Sequence, residues 1–280
     1  LTDQNYAAIY KKQGQDPNEK KMTKPSITPI VMNRDVTSDF LSEIQNSNVK
    51  PIEPVFLDFK KDLSQLKAKS NIPVLYKQNT SNDLFQLIYV FDMGNNNDKV
   101  LGTAFDYIDY LGTSDMTPEQ LKSEFYRLAC TFRVVPGNER TYVLLSGLNE
   151  NMPEAMKLFE KLMADAQVNK EAYTNMVADI LKSRKDAKLN QMQNFRRLMS
   201  YGMYGPKSPA TNILTEAELQ NMDPQELIDR IHNQNSYQHR ILYYGPTSEK
   251  ELLAIINKNH QAPKKLKEIP VGNEFPRLET

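Results

Sequence analysis

The sequence predicts an α+β fold, an antiparallel β-sheet with helices packed mainly on one face. Three observations carry that prediction. The run "LFQLIYVFDM" is almost continuously apolar from Leu84 to Phe91, as a buried strand requires. "TFRVVPG" and "RTYVLLSGL" are two strand-like runs joined by "PGNE", which is good hairpin chemistry. Strands and helices come in runs rather than in strict alternation, which argues against a doubly wound parallel sheet.

In chain order, residues 1–60 differ in texture from the rest. "NYAAIYKKQG" reads as a strand closing an earlier domain, with Gly14 turning out of it. "QDPNEKKMTKPSITPIVMNRDVTSDF" and "SNVKPIEPVFLDF" are punctuated by Pro and Lys, which excludes regular helix and central strand. An extended connector is expected, with one short helix near "SDFLSEI". A compact pattern then begins near Val55. "PVLYKQN" is a short strand, and "LFQLIYVFDM" a longer one that reads as buried on both faces. After "GNNND", Leu101, Ala104, Phe105, Ile108 and Leu111 recur at three and four residues, which is one helical face. Asp98 is the expected N-cap of that helix and Gly112 its C′ residue. Thr117, Pro118 and Gln120 open the next helix with a capping box. Beyond the hairpin come helices over "MPEAMKLFEKLMADA", about Lys170 to Ser200, and "DPQELIDRIHNQ". The strand "RILYYG" and the helix "SEKELLAIINKN" close the domain.

The composition narrows function. The 280 residues carry 35 Lys+Arg and 35 Asp+Glu, so neither nucleic acid nor an anionic membrane has an electrostatic reason to bind. The basic cluster "APKKLKEIP" reads as a solvated linker. No apolar run approaches the ~18 residues of a membrane span. The single cysteine, Cys130, follows "EFYRLA" on an amphipathic helix and reads as a buried structural thiol. The chain opens "LTDQNYAAIYKK", without a signal-peptide pattern, and reads as a piece of a longer polypeptide, so a missing targeting signal carries no weight. "GNNND" lacks the glycines of a phosphate-cradling loop, and "SPATNILTE" offers capping residues rather than a nucleophile with partners.

Four stretches, "VLYKQNTSNDLFQLIYVFDMG", "YLGTSDMTPEQLKSEFYRLACTF", "TYVLLSGLNENMPEAMKLFEKLM" and "HRILYYGP", in that order and spacing, resemble one domain of the pitrilysin/insulinase family of zinc metallopeptidases. "KPSITPIVMNRDVTSDF" is similar to the connector between the two halves of large members. The resemblance implies four related domains paired into two bowl-like halves that close around an unfolded peptide. It also implies a zinc site in the first domain, on an inverted H-x-x-E-H helix with a further glutamate. Histidines at i and i+4 share a helix face, and the neighbouring Glu serves as base for the metal-bound water.

Laid on this chain, the motif helix falls within Val100 to Gly112. Counting back from the Gly-Thr pair puts the histidines at Thr103 and Tyr107 and the base at Asp106. Counting from Gly-x-Ala puts the histidines at Phe105 and Asp109. Neither register supplies two imidazoles. No catalytic, cofactor-binding or metal-binding residue is therefore assigned, and the chain alone is expected to be inactive. The resemblance then implies a non-catalytic, third-type domain over 61–263. Residues 1–60 would be the end of a preceding domain plus the inter-half connector, and 264–280 a linker to a following domain. Zinc is expected in the N-terminal half of the parent, whose other domains and unfolded peptide substrates are the expected partners. A bacterial periplasm or cell-envelope location comes from the same resemblance. The alternative is a non-proteolytic scaffold or binding subunit of the same fold. A parallel sheet or another strand order would instead favour an unrelated α+β binding domain.

Three further sets invite chemistry. His232, His239 and His260 lack the short rigid spacing of a zinc pair, so surface or packing roles are expected. Arg197 and Tyr204 match the spacing of an Arg and Tyr that family members place near substrate. In the family, however, that pair lies early in the fourth domain, and structural use is expected here.

Overall fold

The structure, a computed structural model, describes residues 23–29, 36–54 and 56–279. The strand expected in "NYAAIYKKQG" lies outside the described residues. The chain divides into two compact units, Leu1–Val55 and Phe56–Thr280. In the first, α1 (Asp39–Asn46) forms where "SDFLSEI" predicts it, because the Ser38 side chain accepts a hydrogen bond from the Leu41 N–H.

In the second unit the described residues form a six-stranded sheet: β1 (Ser64–Lys67), β2 (Pro73–Gln78), β3 (Leu84–Phe91), β4 (Cys130–Pro136), β5 (Thr141–Leu148) and β6 (Arg240–Gly245), in the order β1-β2-β6-β3-β5-β4. Every neighbouring pair is antiparallel except β2–β6. The parallel pair arises because β6 arrives late and slots between β2 and β3, which the short Asn79–Asp83 connector joins. Asn79 makes that crossing possible. Its backbone N–H donates to the Gly245 carbonyl, its Oδ1 accepts from the Ser81 N–H at 2.9 Å, and its amide donates to the Leu84 carbonyl. The strand β1, absent from the sequence reading, is four residues long and half-buried, so its periodicity is too short to register.

Eight helices complete the described part of this unit: α2 (Leu101–Tyr107), α3 (Pro118–Arg127), α4 (Met152–Asp165), α5 (Lys170–Ala187), α6 (Gln191–Tyr204), α7 (Glu216–Asn221), α8 (Gln225–Asn233) and α9 (Glu249–Asn259). The paired registers bring Val74, Ile241, Leu87, Tyr89, Val143, Leu145 and Phe132 to one face of the sheet, where α2, α3 and α4 cover its β4–β5 side. Tyr89, Phe132 and Phe159 meet there, with ring centroids 5.3 to 6.4 Å apart. The opposite face stays partly open. Leu84 is 50% exposed and Gln86 is exposed, so the first half of β3 is covered on one face only, not on both as its apolar run suggested.

Local chemistry explains most boundaries and corrects a few. The capping box of α3 is present, Gln120 N–H to the Thr117 hydroxyl and Thr117 N–H to the Gln120 side chain. The helix expected from Lys170 to Ser200 is two helices, broken at Lys188–Asn190, where Asn190 caps α6 by accepting from the Gln193 N–H. Cys130 opens a strand rather than ending a helix. Asp98 caps the turn before α2, accepting from the Val100 N–H, while Val100 holds the N-cap position itself. Gly112 follows a 3-10 turn, and its demand is space: a Cβ there would lie 2.3 Å from the Met116 carbonyl oxygen.

After α9 the chain runs extended along the unit. Lys267 pairs with Ser236 and Gln238 through the backbone, Asn273 N–H donates to the Asn96 carbonyl, and Leu278 N–H donates to the Met203 carbonyl. Leu266 packs against the core, so the basic cluster is part of a strap.

Candidate functional site

The helix α2 is the element on which metal ligands were sought. It is held at both ends by main-chain chemistry. Before it, Asn95 and Asn96 N–H donate to the Gly137 and Asn138 carbonyls of the β4–β5 turn, and the Asn95 side chain accepts from the Gly102 N–H at 2.8 Å. Gly94 is required for that approach, since a Cβ would lie 2.5 Å from both turn carbonyls. The apolar spacing of α2 does what it predicts: Leu101, Ala104, Phe105 and Ile108 are buried.

The imidazole positions of the two candidate registers part company in space. Tyr107 is wholly buried, and its hydroxyl is saturated by Asn169 at the start of α5. It donates to the Asn169 carbonyl at 2.5 Å and accepts from the Asn169 N–H at 2.8 Å. Burial pushes the phenol up, and the ring meets Tyr173 edge-on with centroids 5.8 Å apart. Phe105, Asp106 and Asp109 instead line a groove of about 680 Å³ between α2, β4 and α5, together with Arg133, Asp179 and Arg184. Thr103 and Tyr107 do not line it. Asp106 keeps one edge in solvent, yet the protein packed around it, and then the neighbouring Asp109 charge, push its carboxyl up.

This donor set does not fit a zinc ion of the H-x-x-E-H class. The two imidazole positions hold Thr and Tyr in one register and Phe and Asp in the other. Among the described residues, no group of three or more His, Cys, Asp or Glu side chains is placed to hold a metal. A second, apolar groove of about 660 Å³ adjoins the first, sharing Ile108, Asp109 and Phe132, and runs between α3 and the start of β4.

The histidines lie elsewhere. His232, on the last turn of α8, meets the Ala166 carbonyl at 3.2 Å. His239 and His260 are brought together with their Nε2 atoms 2.9 Å apart, and His260 Nδ1 lies 2.6 Å from Glu160 Oε1. Tyr89 O–H also donates to Oε1, while Asn235 and the Gln261 N–H donate to Oε2. This buried cluster was missed from sequence. Its one signal is Glu160 itself, which sits on the apolar face of α4 between Met156 and Met163. Arg197 and Tyr204 share a face of α6, seven residues apart, away from the groove residues in sequence. Cys130 is buried and desolvation pushes its thiol up, which disfavours the nucleophilic thiolate.

No family model matches the sequence, and no curated protein matches it. Solved structures do. The periplasmic protease PqqL from Escherichia coli aligns with a TM-score of 0.67 at 14% identity, over 92% of this chain and 28% of PqqL. A peptidase M16 inactive domain from Pseudomonas fluorescens aligns with a TM-score of 0.62 at 13% identity, over 76% of this chain and 54% of that one. A variant of the ferredoxin protease FusC, in complex with Arabidopsis ferredoxin, aligns with a TM-score of 0.64 at 11% identity, over 83% of this chain and 27% of that one. The fold is therefore that of the M16 peptidase domains, the class to which the sequence resemblance pointed. The chain spans little more than a quarter of PqqL.

Proposed function

We propose that this chain is a non-catalytic domain of a zinc-dependent endopeptidase of the pitrilysin/insulinase type. It forms part of the wall of a chamber that encloses unfolded peptides. One observation carries the reading: the peptidase fold is kept, while the groove beside its motif helix holds an aromatic ring and unmatched carboxylates where imidazoles would be needed. Hydrolysis by such an enzyme requires a metal-activated water, and among the described residues no His, Cys, Asp or Glu group is placed to hold that metal. The zinc site then belongs to the N-terminal half of the parent, residues 1–60 to the end of a preceding domain plus the connector between halves, and 264–280 to the linker into a following domain. The likeness to a periplasmic protease supports a cell-envelope location, and no helix among the described residues is long and apolar enough to cross a membrane.

The test compares this chain with the full-length protein on an unstructured fluorogenic peptide, with zinc and with a chelator. Chelator-sensitive cleavage by the full-length protein alone is expected. The same activity in the isolated chain overturns the assignment.

A further inference from the structure

Helix α6 turns its polar side to the protein. At 3.6 residues per turn, Met192, Phe195, Leu198, Met199 and Met203 fall within an arc of about 140°, with only Gln191 and Gly202 among them. Gln193, Asn194, Arg197, Ser200 and Tyr204 fall on the opposite side. A surface helix normally buries its apolar stripe and shows its polar one. Here Leu198 is 65% exposed, Met192 58% and Phe195 55%, and Met199 and Met203 are exposed as well. No residue of the helix is buried, and the two that are partly so, Ser200 and Tyr204, lie one turn apart on the polar side. On the apolar side, a Cβ built at Gly202 meets nothing within 4 Å. Hydrogen bonds fasten the helix: the Asn194 amide donates to the Lys188 carbonyl at 2.7 Å, and the Leu278 N–H to the Met203 carbonyl at 2.8 Å.

Charge selects the cover. From Lys182 to Lys207 the chain carries seven cations and a single carboxylate, Asp186, so the neutral total of the whole chain hides a strongly basic segment. Lys185 and Lys188 precede the helix, Arg196 and Arg197 lie on it, Lys207 follows it, and all five are exposed. Arg196 falls at the rim of the apolar arc. A second copy of this chain is a poor cover, because α6 holds two cations and no acid, and pairing it with itself sets like charges together. A bound peptide needs walls on either side, and the two large grooves of this unit include no residue of α6. An outward apolar helix side with cations at its rim and both ends is instead the arrangement in which a helix lies along an anionic bilayer, its apolar side chains in the acyl boundary and its Lys and Arg at the headgroups.

We infer that α6 docks this chain on an anionic lipid surface, with Phe195, Leu198 and the three methionines entering the bilayer interface and the flanking Lys and Arg meeting the lipid phosphates. The unbranched methionines adapt to an irregular surface, and Tyr201, 59% exposed, suits the headgroup level where aromatic rings collect. The helix lies on the membrane and does not cross it, since no helix among the described residues is long and apolar enough to span. This inference goes beyond the chamber-wall reading and does not rest on it.

The experiment uses the 280-residue chain and vesicles of phosphatidylcholine with or without phosphatidylglycerol. Sedimentation with the anionic vesicles is expected, and it should weaken as salt is raised. Arg196→Gln and Arg197→Gln together should weaken binding about 25-fold, at about fivefold for each charge near the surface. Leu198→Asp, at an exposed position where the fold loses no packing, should abolish it. The chain has no tryptophan, so Phe195→Trp gives a unique reporter whose emission should move to shorter wavelength on anionic vesicles. Gln193→Trp, on the polar side of the same helix, should show no such shift. Failure to sediment with anionic vesicles, equal sedimentation with neutral ones, or the same emission shift from both tryptophan positions overturns the inference. Binding to soluble polyglutamate while anionic vesicles are ignored also overturns it, and assigns the face to an acidic polypeptide.

Discussion

The groove under α2 and the core under α4 use similar polar side chains for opposite ends. Around α2 the carboxylates of Asp106 and Asp109 meet solvent and lack imidazole partners, while the phenol of Tyr107 is tied to α5. Under α4 the carboxylate of Glu160 is 1% exposed and is satisfied by Tyr89, Asn235, Gln261 and His260. Two of the chain's three histidines are thus spent in the core, on the architecture of α4, β3, β6 and the end of α9. A chain can keep both the residue types of a catalytic site and the frame of one without bringing the two together.

The protons of the core cluster follow from its geometry. His239 Nδ1 lies 2.7 Å from the Tyr237 carbonyl, which can only accept, so that nitrogen carries the hydrogen. Burial, and then the charge of His260, hold His239 down at about 4, so near neutral pH its Nε2 is bare and accepts from His260. His260 Nδ1 lies 2.6 Å from Glu160 Oε1, and with Tyr89, Asn235 and the Gln261 N–H it gives the carboxylate four partners. Tyr89, pressed against that carboxylate, has its phenol pushed well up, by burial first and then by Glu160.

The contrast can be broken most severely at Glu160. Glu160→Ala strips four buried donors of their acceptor, which should cost about 3–5 kcal/mol in all, since each buried group left unsatisfied costs about 1–3, measured by urea denaturation at pH 7.5. Glu160→Gln must turn an NH2 towards groups that themselves donate, so it should recover only part of that loss. The next effect is on pH dependence. In the unfolded chain His239 takes a proton near 6.5, in the folded chain near 4. Between these values the unfolded state holds more protons, so stability falls as pH drops through the window, by roughly 3 kcal/mol in all. Denaturation midpoints at pH 7 and pH 4.5 should show that slope, and His239→Gln should flatten it. The smallest effect belongs to the motif helix. Tyr107→Phe removes the hydroxyl that bridges Asn169 and should cost about 1–2 kcal/mol, with no change in that pH slope. A loss larger than that of Glu160→Ala would reverse the ranking of the two regions.

Much of this was legible in the residues. The apolar periodicity of α2, the capping box at Thr117, the "PGNE" hairpin and the order of the four resembling stretches gave the fold class and the emptied motif. The misses share a cause. The break at Lys188–Asn190 rests on one Asn choosing to cap rather than continue a helix. The burial of Glu160, His239 and His260 rests on partners from four separate elements. Which side chains of α2 line the groove depends on the direction of each around the helix, which spacing from Gly102 or from the Gly-Thr pair left open.

The sequence by itself determined which segments bury a face, where capped helices such as α3 start, and that two imidazoles are missing from the motif helix. These are local properties, fixed by residue type and spacing along a few turns of chain. Only the tertiary structure decided that β6 enters between β2 and β3, that the histidines meet a buried glutamate, and that β4 stands at the edge of the sheet beside two grooves. Those outcomes depend on contacts between segments far apart in the chain, and side-chain periodicity records which face is buried but not what covers it.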